Sequence, residues 1–70
     1  MLDWTEVESS NIKKVGYAAA LEELHIKFNS GTEYAYLEVP PEVFDALIGA
    51  PSKGKFLNAE IKGKYEYQRI

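Results

Sequence analysis

The sequence predicts an α+β domain: an antiparallel three-stranded meander packed on one face by two short helices. Three observations carry this expectation. Residues 23–28 and 32–39 are runs of β character that meet at Asn29-Ser30-Gly31. The chain then switches to helical spacing after Pro40-Pro41. A second helical run follows Ser52 and closes at Gly63.

Each element follows from its residues. Residues 1–10 hold Leu2, Trp4 and Val7 among acids and hydroxyls and read as an irregular N-terminal arm that docks Trp4 on the body. Residues 12–17 form the first strand, with Val15 and Tyr17 on one face. Ala18-Ala19-Ala20-Leu21-Glu22 has helical propensity but is too short to stand as a helix between strands, so a loose turn is expected. Residues 23–28 place Leu24, Ile26 and Phe28 on one face and Glu23, His25 and Lys27 on the other. Gly31 suits the left-handed position of a three-residue hairpin loop. That loop sets Ile26 opposite Tyr34 and Leu24 opposite Tyr36, which puts both tyrosines on the apolar face.

Pro41 is tolerated in the first turn of a helix whose stripe is Val43, Phe44, Leu47 and Ile48, and Gly49-Ala50-Pro51 stops it. Ser52 caps the second helix, residues 53–61, with Phe56, Leu57 and Ile61 as its apolar positions. Tyr65-Glu66-Tyr67 alternates again, as a short fourth edge strand or as an extended segment across the body.

Composition narrows the function classes. Seventy residues make one domain with a modest core. There is no cysteine and one histidine, so disulfides, thiolate metal sites and multi-histidine sites are excluded. No metal and no cofactor are expected. No apolar run approaches the length of a bilayer span and no signal-peptide pattern follows Met1, so a cytoplasmic monomer with no membrane partner is expected. Net charge is −3 but unevenly spread. Residues 1–51 carry three lysines against nine acids, whereas residues 52–70 carry five positive charges against two acids.

No constellation for catalysis emerges. His25 lies mid-strand with Glu23 and Lys27 beside it and reads as a solvated strand residue. Ser9-Ser10-Asn11 reads as a cluster that satisfies backbone groups ahead of a strand. Ser52-Lys53-Gly54-Lys55 resembles a fragment of a phosphate loop without the full motif. The most informative stretch is the last third. Lys53, Lys55, Lys62, Lys64 and Arg69 interleave there with Tyr65 and Tyr67. Positive charge meets phosphates and aromatic faces stack on bases, so these seven residues are the candidate nucleic-acid contacts.

The chain as a whole resembles the KTSC domain family. The resemblance runs through Val7-Glu8-Ser9-Ser10-Asn11-Ile12, Val15-Gly16-Tyr17, Tyr34-Ala35-Tyr36, Val39-Pro40 and Val43-Phe44. It continues through Ser52-Lys53-Gly54-Lys55-Phe56-Leu57-Asn58, Ile61-Lys62-Gly63-Lys64-Tyr65 and Tyr67. That family takes its name from the C-terminus of some lysyl-tRNA synthetases and includes stand-alone bacterial proteins. It implies a domain without settled function, for which RNA binding is the usual suggestion, and it brings no catalytic residues. The family often has Asp-Pro after Gly-Tyr, where this chain has Ala18-Ala19-Ala20. Two expectations follow: a small non-catalytic RNA-binding accessory module, or a protein-interaction module that uses a sheet edge or the face bearing His25, Ala35 and Leu37.

Overall fold

The computed structural model of the chain describes residues 2–70. Five strands run in sequence, β1 (Asp3–Glu6), β2 (Ile12–Ala18), β3 (Glu23–Phe28), β4 (Glu33–Tyr36) and β5 (Tyr67–Arg69). They lie side by side in chain order and every neighbouring pair is antiparallel. Between β4 and β5 the chain forms helix α1 (Pro41–Gly49) and helix α2 (Lys53–Phe56), which runs on into a π-helical turn, Leu57–Ile61. The α+β class is therefore as expected, but the meander has five strands where three, or three with an edge strand, were expected.

The two added strands are the short ones at the edges. Residues 3–6 are not an irregular arm: they pair with β2, Trp4 opposite Gly16 and Glu6 opposite Lys14. All four residues of β1 are exposed, so the alternation that marks a half-buried strand is absent from this sequence. The final strand begins at Tyr67, at the end of the alternating run, and continues to Arg69, pairing with β4.

The central hairpin has the expected register, with Leu24 opposite Tyr36 and Ile26 opposite Tyr34. Gly31 sits at φ 94°, the left-handed conformation the loop requires. A bulge at Lys13 separates the Ile12–Phe28 pair from the Lys14–Lys27 pair. The extra residue turns Ile12 onto the helix-covered face, where it is buried, and leaves Lys14 outside. The alanine segment is a turn, closed by the Leu21 N–H to the Ala18 carbonyl at 3.1 Å.

The core lies between the sheet and the helices. Val15, Leu24 and Ile26 of the sheet meet Leu47, Leu57 and Ile61 of the helical layer, all essentially without exposure. Burial of each such side chain is worth about 1.5–3 kcal/mol. Tyr17 ties the layers together. Its ring stacks on Phe44 with centroids 4.8 Å apart, and its hydroxyl donates to the Val39 carbonyl at 2.6 Å. Burial, with Glu22, Glu42 and Asp45 nearby, pushes the Tyr17 hydroxyl above the usual tyrosine range.

Ser52 caps α2 as expected, its Oγ accepting from the Lys55 N–H at 3.3 Å. The π-helical turn closes with the Lys62 N–H donating to the Leu57 carbonyl at 2.9 Å. Gly63 follows at φ 82° and lets the chain leave the helix. This exit places Lys62 at the end of the helical layer, where the covered face of the sheet is left open.

Candidate nucleic-acid interface

Three aromatic rings line that open end of the covered face. Phe28 ends β3, Tyr34 lies on β4 and Tyr67 on β5. Phe28 and Tyr34 meet edge to face with centroids 5.7 Å apart, and Tyr34 meets Tyr67 the same way at 5.3 Å. Edge-to-face packing fixes the rings relative to one another and sets the edge of one ring of each pair on a face of the other. Phe28 and Tyr34 are half-buried against the core, and Tyr67 is 59 % exposed.

Lys62 reaches across this row. Its ammonium lies 5.8 Å from the Phe28 ring centroid, at the outer limit of a cation–π contact. The contact is weak, so the charge is free to be taken up by a stronger partner. Two neighbouring depressions share Lys62 and Tyr34. One, of about 500 Å³, is lined by Phe28, Asn11, Asn29 and Thr32 as well. The other, of about 330 Å³, is completed by Tyr36, Gly63 and Tyr67. Arg69 stands opposite Tyr34 on β5, exposed at the same edge. At the floor of the second depression the buried Tyr36 hydroxyl is pushed upward in pKa, mainly by burial and then by Tyr67 and Tyr34.

The seven residues picked from the sequence divide between places. Lys62, Tyr67 and Arg69 gather at the aromatic row. Lys64 lines an adjoining shallow depression with Tyr65, Tyr67 and Gln68, and its ammonium lies 3.5 Å from Glu60. Tyr65 is half-buried and packs against the core, which leaves it little ring face for stacking. Lys53 donates to the Ala50 carbonyl at 2.9 Å and lines a separate groove with Glu6 and Glu8 beside β1. Lys55 stands exposed on α2. Sequence order therefore grouped seven residues of which the fold brings four to one end.

Phe28, Tyr34 and the polar residues Asn11 and Asn29 were missed. The signal was present in the hairpin register, which sets Phe28 and Tyr34 diagonally across the β3–β4 pair on one face. The alternation showed that they face the helices but not that the helices stop short of them.

The opposite face of the sheet corrects a second expectation. His25 is not a solvated residue without partners. It is 9 % exposed, with Nδ1 3.1 Å from Glu33 and Nε2 3.3 Å from Glu23. Carboxylates only accept, so both contacts are hydrogen bonds when the imidazole carries both protons. Trp4 packs edge-on to His25 at 6.2 Å and lies flat over Gly16, and the Lys14 ammonium sits 4.6 Å above its ring. Ala35 is also buried on this face. Two of the three residues expected to form a protein-contact face thus expose almost no surface. Among the described residues, no group of histidine and carboxylate side chains is arranged to hold a metal ion, and no helix is long and apolar enough to cross a membrane.

Comparison with known proteins identifies the family of the chain. Residues 8–65 match the model of the KTSC domain family. A crystal structure of a KTSC domain protein from Yersinia pestis superposes with a TM-score of 0.96 at 34 % identity, covering 100 % of this chain and 99 % of that one. A protein of Tsukamurella paurometabola is 48 % identical over 59 residues, 84 % of this chain and 88 % of its own length. The lysine–tRNA ligase of Nostoc punctiforme is 43 % identical over 63 residues, which span 90 % of this chain but only 11 % of the ligase. By sequence match, by fold and by the extent of both, this chain belongs to the KTSC domain family.

Proposed function

We propose that this domain is a non-catalytic RNA-binding accessory module whose contact surface is the aromatic row Phe28–Tyr34–Tyr67 crossed by Lys62. The observation that carries the reading is the pairing of exposed ring surface with a loosely held cation in one open groove. Bases of a single strand stack on aromatic faces, each worth about 1–3 kcal/mol, and cations meet the phosphates between them. A duplex hides its base faces, so unpaired RNA is the preferred form. The chain's net charge of −3 keeps the contact local and the affinity modest. A supporting circumstance is the related segment in ligases whose name includes tRNA.

Lys62, Lys64 and Arg69 are the cations nearest the groove. If all three meet phosphates, log affinity falls against log salt with a slope of about −2, at about −0.7 per contact for single strands. Titration of an unpaired RNA octamer across salt concentrations tests this. Lys62→Ala should reduce the slope by about 0.7 for every sequence alike. Binding of the octamer with no salt dependence, or none at all at low salt, overturns the reading. No binding at low salt shifts weight to a protein partner added along the outer edge of β1 or β5.

A further inference from the structure

We infer that the groove is built for a two-nucleotide step, with one base on each side of Tyr34 and the linking phosphate on Lys62. This rests on the RNA reading above and specifies its footprint. The two depressions are separate, and Tyr34 and Lys62 are the residues that both share. Each offers an aromatic wall of its own, Phe28 in the first and Tyr67 in the second. A cation between two aromatic-walled depressions matches the order of groups along a strand, base, phosphate, base. The Lys62 ammonium now rests near Phe28, and its flexible stem lets it move to a phosphate without disturbing the fold.

The Phe28 side also has a defined polarity. The Asn29 side-chain nitrogen donates to the carbonyls of Ser10 at 3.0 Å and Ser9 at 3.4 Å. Carbonyl oxygens only accept, so the amide orientation is fixed, and its oxygen remains as an acceptor for an incoming group. An amino-bearing base such as adenine supplies the matching donor.

The test compares 5′-AMP with the dinucleotide ApA by calorimetric or amide-shift titration at low salt. The monophosphate carries more negative charge at pH 7 than the single diester of ApA. A site that recognises only charge therefore favours 5′-AMP. A two-nucleotide site favours ApA, by about five-fold or more for one further stacked base. Tyr67→Ala should abolish that advantage while the fold is retained, because Tyr67 is 59 % exposed. Lys62→Ala should weaken ApA by removing its phosphate contact, while ApA keeps the gain from its second stacked base. If octameric RNA binds at the groove but ApA binds no better than 5′-AMP, the two-nucleotide footprint is wrong and the RNA reading stands. If ApA shifts amides on only one side of Tyr34, the footprint is likewise overturned. If the octamer does not bind, both fall together.

Discussion

Tyr36 and Tyr67 are cross-strand partners on β4 and β5, with ring centroids 5.6 Å apart. One is 2 % exposed and the other 59 %. They share a face of the sheet and a row of the register, and differ in what lies above them. The helical layer seals Tyr36 with the core and leaves Tyr67 at the rim. The difference separates two uses of the same residue type. A tyrosine under the helices holds the fold, and a tyrosine past their edge is available to a ligand.

The largest effect belongs to the sealed member. Tyr36→Ala should destabilise the domain by about 3–5 kcal/mol, the range for large aromatic truncations in a core, measured by urea denaturation. A loss below about 1 kcal/mol would mean the helical layer does not seal it. The same burial gives a pH signature. Burial holds the Tyr36 and Tyr17 hydroxyls above the usual tyrosine range. The native state holds these protons where the unfolded chain releases them. Their contribution is fully present below about pH 10 and is lost as pH climbs above it. Tyr17→Phe should flatten that alkaline loss in pH-dependent unfolding.

Next come two substitutions on the face without helices. A Cβ at Gly16 would lie 2.9 Å from the Trp4 ring. Gly16→Val should therefore displace the indole and cost about 1–3 kcal/mol, as overpacking does, with a shift in tryptophan fluorescence as the ring leaves the sheet face. Trp4→Ala in the same background should remove most of that penalty. His25→Ala should cost about 1–2 kcal/mol, since it leaves Glu23 and Glu33 facing each other across a void beside Trp4. No change in stability would restore the picture of a solvated surface histidine.

The smallest effect on stability belongs to the rim. Tyr67→Ala should change unfolding free energy by about 1 kcal/mol or less, the worth of its aromatic contacts, while weakening binding of unpaired RNA.

Much of the centre of this molecule was legible in the sequence. Leu24, Ile26, Tyr34 and Tyr36 share a face because a three-residue loop with a left-handed glycine permits one register. Ser52, the paired prolines and Gly63 marked the helices because each solves a local backbone problem at a helix end. The edges were not legible. Asp3-Trp4-Thr5-Glu6 becomes a strand because β2 offers a free edge and Gly16 offers room for an indole, and neither fact is local to those four residues. His25 reads as polar and therefore outside, yet local cross-strand partners bury it without any second layer. The candidate groove was half legible. Charge clustering indicated Lys62, Tyr67 and Arg69, but the aromatic partners Phe28 and Tyr34 come from thirty residues earlier in the chain and were absorbed into the core stripe. Alternation states which face a residue joins. Where the covering layer ends is set by the length of the helices and by the π-helical turn before Lys62.

A backbone-amide NMR titration with an RNA octamer decides whether the rim of the covered face binds unpaired RNA. An octamer bound in the groove shifts the amides of Asn29, Tyr34, Lys62, Gly63 and Tyr67, an effect that weakens with salt and with Lys62→Ala. Such an octamer leaves the amides of Lys53 and of β1, far from the aromatic row, stationary. Octamer raised to millimolar concentration at low salt with none of the groove amides moving, or with the shifts confined to the Lys53 groove, would contradict binding at the rim.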